Sequence, residues 1–108
     1  MSYSIEIYQT KNSKKPFSEW FDSLKDKHAK ASILNRLERL KFGNFGDSKP
    51  LRNSIYELRI HCGPGYRIYF TKIGTRIVLL LCAGAKATQN KDITRAINYL
   101  IDYKEQST

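Results

Sequence analysis

Acidic residues are scarce in this 108-residue chain: ten Asp and Glu stand against nineteen Lys and Arg, which leaves a formal net charge of +9. Such a surplus points to a polyanionic partner, nucleic acid or an acidic protein, because the summed field speeds encounter and phosphate contacts supply affinity. Cysteine is scarcer still. Cys62 and Cys82 lack the Cys/His spacing of a metal site and make no disulfide framework, so neither a metal nor another cofactor is expected. No apolar run approaches the length of a membrane span and no signal-like segment opens the chain, so the expectation is a protein with no membrane association, in a reducing cytoplasm. Internal repeats and linkers are also missing, which leaves one domain over residues 1–108.

The positive charge is unevenly spread. Residues 1–50 hold ten basic and six acidic side chains, residues 51–86 hold six and one, and residues 87–108 hold three and three. The densest excess falls on the segment that also carries the clearest strand pattern. Residues 55–60 alternate, with Tyr56, Leu58 and Ile60 of one parity and Ile55, Glu57 and Arg59 of the other, and residues 66–71 do the same. Between them HCGPG supplies a turn. Symmetry about Gly63 places Leu58 opposite Ile68 and Tyr56 opposite Phe70, so the apolar sets coincide. The same register sets Arg59 against Arg67, a like-charge pair that costs roughly 0.2 to 1 kcal/mol unless an anion or a neighbouring carboxylate such as Glu57 relieves it. His61, the side chain here that titrates near neutrality, shares the parity of the two arginines. It is a candidate for proton transfer with Glu57 as partner, or simply the first residue of the turn.

A second hairpin is expected to turn at residues 72–75, pairing Phe70 with Ile77 and Ile68 with Leu79. Ile77 to Leu81 is apolar throughout, as for a central strand covered on parts of both faces. After Cys82 the chain is expected to leave the sheet and deliver Lys86 to the strand end. Residues 3–8 alternate as a first strand. Pro16 suits the start of a helix bearing Phe17, Trp20, Phe21 and Leu24, where core packing is the simpler explanation for Trp20. A second helix spans about residues 26–42 and stops at Gly43. The loop GNFGDSKP follows, and Lys49 and Arg52 at its exit are candidate phosphate contacts. A last helix starts near Thr88 or Gln89, with Ile93, Ala96, Ile97, Leu100 and Ile101 on one face, and its N–H groups favour an anion beside Lys86. The tail beyond Tyr103 is expected to fray. The chain order β-α-α-β-β-β-α describes an α+β domain, a small antiparallel sheet with helices packed on one side.

The order ELR, GPGYRIYF, LLLCAGAKATQNKDI and a closing amphipathic helix resembles the RelE/ParE superfamily of toxin–antitoxin killer proteins, and within it the HigB-like, phage Gp49-like addiction module killers. The likeness covers nearly the whole chain, and its most specific part is the GYRIYF strand followed by Gly84, Lys86, Gln89, Asp92 and Ile93. The resemblance implies a RelE-like fold and a metal-independent endoribonuclease, an mRNA interferase acting on translated mRNA at the ribosome. It also implies neutralisation by a cognate helix-turn-helix antitoxin, through which alone operator DNA would be met. It makes Arg59 and Arg67 phosphate-stabilising residues and Lys86 a phosphate-binding or proton-transferring one. Tyr69 would position or stack a base, and Gln89 would join Lys49 and Arg52 in binding RNA. The clear C-terminal catalytic Tyr or His of some members is missing. Two alternatives share the fold: a ParE-like inhibitor of DNA gyrase acting by protein contact, and an inactive module that only binds its antitoxin.

Overall fold

Two turns set the register on which the rest is built. In the computed structural model, which describes residues 2–107, the loop of residues 61–65 turns with Gly63 and Gly65 at φ of 55° and 83°, backbone that glycine adopts without a side-chain clash. It joins β3 (Tyr56–Ile60) to β4 (Tyr66–Ile73) with Tyr56 opposite Phe70, Leu58 opposite Ile68 and Arg59 opposite Arg67, the register expected from symmetry about Gly63. The second turn differs from expectation. β4 pairs with β5 (Ile77–Ala85) from Ile73 opposite Ile77 to Phe70 opposite Leu80, and then shifts so that Tyr69 faces Cys82 and Arg67 faces Gly84. The bulge leaves Leu81 as an extra residue. β5 therefore continues through Ala83 and Gly84 to Ala85, and those residues do not leave the sheet.

The flanking elements complete a five-stranded sheet of order β1-β5-β4-β3-β2. β1 (Ser4–Ile7) lies parallel to β5, with Ser4 opposite Ile77 and Ile7 opposite Leu80, so the sheet is mixed, antiparallel everywhere except at this edge. β2 (Ser48–Pro50) is a short edge strand paired with β3, and it lies in the stretch expected to be a loop. α1 (Pro16–Ser23) begins on its proline, and α2 (Lys27–Lys41) is capped by the Asp26 carboxylate, which accepts from the backbone N–H groups of His28 and Ala29. After β5 a short 3-10 turn, Lys86–Thr88, leads into α3 (Gln89–Gln106). Helix continues past Tyr103, where Gln106 donates to Asp102 and to the Gln9 carbonyl, so the tail is held and not frayed over the described residues.

The helices lie on both faces of the sheet, which corrects the one-sided packing expected. Phe17 of α1 and Ile33 and Leu40 of α2 pack with Leu58, Ile60, Ile68, Phe70, Val78 and Leu80 on one face. Ile93, Ala96 and Leu100 of α3 pack with Ile55, Tyr69, Leu79, Leu81 and Cys82 on the other. Trp20 is half-buried against the first core, its ring edge-on to Tyr66 at 5.6 Å. The cause is visible in β5, where apolar residues at consecutive positions give each face something to cover. Gly84 lets α3 come close: a Cβ there would stand 1.9 Å from Asp92 Oδ2. Among the described residues no helix is long and apolar enough to cross a membrane.

Candidate functional site

The face beneath α3 is apolar only as far as the helix reaches. Beyond the N-terminus of α3 the same parity of β3 and β4 presents Glu57, Arg59 and Arg67, and the 61–65 loop closes the end. The result is a cleft of about 340 Å³ lined by Arg59, His61, Tyr66, Arg67 and Lys86 among others. Lys86 reaches it because its backbone N–H donates to the Gly65 carbonyl at 3.0 Å, tying the end of β5 to the hairpin loop.

Glu57 is the residue on which the cleft is built. Its carboxylate is fully buried, yet it lies between cations: Arg59 Nε donates to Oε1 at 3.1 Å, and Arg67 Nε lies 3.4 Å from Oε2, an ion-pair separation without hydrogen-bond alignment. Gln89 Nε2 donates to Oε2 at 2.8 Å. Both arginines thus turn their inner nitrogen to Glu57, and among the described residues no hydrogen bond holds their terminal nitrogens. The side chains of Arg59 and Arg67 are 32% and 13% exposed, so their charge sits in a partly desolvated site where it acts strongly on an anion. Three cations against one carboxylate leave the cleft electropositive.

The backbone of Arg59 is held from both sides. Its N–H donates to the Asp47 carbonyl at 2.9 Å, and its carbonyl accepts from Arg36 Nη1 at 2.8 Å. This places the Asp47 carboxylate against His61 Nε2 at the rim. The His61 hydrogen bond holds the Asp47 carboxyl below the usual carboxylate range, burial opposing only in part.

Arg59, Arg67, Lys86 and His61 therefore meet as the sequence suggested. The four other candidates lie outside the cleft lining. Tyr69 is completely buried under α3, its hydroxyl without a hydrogen-bond partner among the described residues and its pKa raised by burial and by Glu57, so it is not exposed to stack a base. Gln89 spends its amide on Glu57, which makes it a support for the arginines. Arg52 lies in the turn before β3, at the far end of that strand from the cleft. Lys49 is exposed opposite Glu57 on β2, on the cleft's side of the sheet but not among its lining residues. The partner of His61 is Asp47 and not Glu57. Sequence reading missed Asp47 and Arg36, whose role depends on a loop and a helix folding back onto β3, and no spacing rule reports that. The importance of Glu57 did leave a trace: it is the lone acid among six basic residues in the segment 51–86. Among the described residues no group of three or more His, Cys, Asp or Glu side chains could hold a metal ion.

The model of the phage-derived Gp49-like protein family (DUF891) matches residues 19–100, a span that includes every residue of the cleft. The chain belongs to the Gp49-like family. An uncharacterized protein of Haemophilus influenzae is 50% identical over 80 residues, which cover 74% of this chain and 81% of that protein. Among solved structures, a mutant of the Escherichia coli toxin RelE in the free state superposes with a TM-score of 0.67, covering 91% of this chain and 97% of the other at 15% identity. At that identity the likeness establishes the fold, and this Gp49-like protein is a RelE-like α+β domain.

Proposed function

We propose that this Gp49-like protein is the toxin of a type II toxin–antitoxin pair and an endoribonuclease that cleaves translated mRNA at the ribosome. A cognate helix-turn-helix antitoxin neutralises it, and operator DNA is met only through that antitoxin. The observation that carries the reading is the pair of guanidinium groups fixed side by side by one buried carboxylate, with Lys86 completing a cleft open at the end of the sheet.

The chemistry follows from that arrangement. Attack of a ribose 2′-OH on the adjacent phosphorus concentrates negative charge on the non-bridging oxygens. Preorganised cations placed where that charge develops are worth several kcal/mol, and removing one donor of such a site costs about 10²- to 10³-fold in rate. Arginine suits the task because its planar fork matches two phosphate oxygens and it keeps its charge when partly buried. Arg59 and Arg67 supply the fork, with Gln89 and Glu57 fixing its angle, and Lys86 binds the phosphate as a compact charge. Lys49, exposed on the neighbouring strand, extends the positive track for the RNA backbone.

The test is induction of the chain alone in growing cells. Growth should stop as translation fails, co-expression of an adjacent antitoxin should restore it, and Arg67→Ala should be harmless while remaining folded. A fully toxic Arg67→Ala variant would remove the cleft from the explanation. Growth arrest with DNA damage and intact mRNA would favour the gyrase alternative.

A further inference from the structure

RNA cleavage by 2′-OH attack needs a base for the hydroxyl proton, and the cleft offers few. Glu57 is fully buried, and its two oxygens already face Arg59, Arg67 and Gln89. Tyr69 is sealed beneath α3. Arg59, Arg67 and Lys86 serve the phosphate in the reading above, and His61 brings to the cleft an imidazole, the side-chain type best suited to proton transfer near neutrality. We propose that His61 is the general base of the site and that Asp47 is the residue that positions it. The proposal rests on the RNA-cleavage reading above.

The geometry supports it from three directions. His61 begins the 61–65 loop just past the Ile60–Tyr66 pair, one step beyond Arg59–Arg67 along the hairpin, and lines the same cleft as those arginines. Asp47 is delivered by a different part of the chain, yet it is anchored to the same strand by the hydrogen bond from the Arg59 N–H to its carbonyl at 2.9 Å. Its carboxylate meets His61 Nε2, while Nδ1 takes no partner among the described residues. A carboxylate accepting from one ring nitrogen selects the tautomer with the lone pair on the other and stabilises the imidazolium that forms when that nitrogen takes a proton. The charged groups around the pair are Arg36 from α2, Arg59 and Glu57 from β3, Arg67 from β4 and Lys86 after β5.

The step balances without a further reagent. His61 Nδ1 takes the 2′-OH proton, O2′ bonds to phosphorus, and the bond from phosphorus to O5′ breaks. O5′ takes a proton from water and the imidazolium returns its proton to the hydroxide left behind. The products are a 2′,3′-cyclic phosphate and a free 5′-OH.

The experiment compares purified full-length wild type, His61→Ala, Asp47→Asn and Arg67→Ala on ribosomes programmed with a defined mRNA. The side chain of His61 is 72% exposed, so its truncation leaves no core cavity, and circular dichroism verifies the fold. His61→Ala is expected to lower kcat by about 10²- to 10⁴-fold with KM unchanged. Imidazole added to the buffer should restore part of that rate to His61→Ala and none to Arg67→Ala. Asp47→Asn should lower kcat by about 10- to 100-fold, again without raising KM. Wild-type rates for His61→Ala beside an inactive Arg67→Ala would overturn the base assignment and leave the RNA-cleavage reading standing. A raised KM without imidazole rescue would make His61 a binding residue and overturn it equally. No cleavage by the wild type would overturn both.

Discussion

Arg59 and Arg67 face one another across the β3–β4 ladder, and both turn Nε toward the single carboxylate of Glu57, at 3.1 and 3.4 Å. A pair of like charges that would weaken a sheet is thereby fixed in place by a shared anion. Glu57 acts from below, its carboxylate fully buried.

Removing that carboxylate should be felt in stability and in activity together. Glu57→Ala leaves two partly buried guanidinium groups without their anion and should cost about 3 kcal/mol in urea unfolding. Glu57→Gln keeps the shape and part of the hydrogen bonding, so a smaller loss of about 1 to 2 kcal/mol is expected. An unchanged unfolding midpoint for Glu57→Ala would show that the arginines do not depend on it.

Gly84 tests how closely α3 must approach the sheet. The added methyl of Gly84→Ala would meet Asp92 Oδ2 at 1.9 Å, Asp92 Cγ at 2.8 Å and Thr88 Oγ1 at 3.0 Å. The start of α3 must move, at a cost of about 1 to 3 kcal/mol. Asp92→Ala combined with Gly84→Ala should be less destabilised than the sum of the single changes, because the two closest contacts, both with the Asp92 carboxylate, are gone in the pair. Additive losses would contradict the contact.

The hydrogen bond from the Tyr8 hydroxyl to the Asp102 carboxylate ties β1 to α3 and gives stability a pH dependence. That bond holds the Asp102 carboxyl below its ordinary 3.8, so its contribution is present above that value and lost as pH falls through the lower folded value. Burial, then Asp102, raises the Tyr8 phenol above its ordinary 10.0, so its contribution is present below pH 10 and lost at higher pH. Urea midpoints measured across pH should therefore fall at both ends. Asp102→Asn should shrink the acid slope and Tyr8→Phe the alkaline one. Unaltered slopes in both variants would assign the pH dependence elsewhere.

The two cysteines should separate on treatment with an alkylating reagent. Burial pushes the Cys82 thiol up to about 12, and its Sγ donates to the Asp92 carbonyl, so it should react only when the domain opens. Cys62 is partly exposed in the cleft loop and should react first. Mass spectrometry of timed samples reads the order directly, and simultaneous labelling would contradict the burial of Cys82.

Local patterns in the chain account for much of this structure. Alternation on either side of Gly63 was enough to place Arg59 opposite Arg67, because parity and turn symmetry leave one register that unites the apolar sets. The β4–β5 register was not legible: the turn takes up residues 74–76 and not the two residues expected, which already sets Phe70 opposite Leu80, the bulge at Leu81 shifts the pairing again, and an all-apolar strand gives no parity to correct either. The same strand hid the side on which α3 packs. At the site, residues on adjacent strands could be read as neighbours, whereas Asp47 and Arg36 come from elements whose return to β3 depends on tertiary packing. Tyr69 shows the limit of parity: it shares a face with the arginines, yet α3 covers that part of the face and leaves theirs open.

The central claim is that the arginine cleft cleaves translated mRNA. The direct measurement is to induce the protein without its antitoxin and map new mRNA 5′ ends, with Arg67→Ala as control. The expected result is new 5′-hydroxyl ends within translated reading frames, present for the wild type and absent for Arg67→Ala. Growth arrest with no new ends, or the same ends from Arg67→Ala, would contradict it.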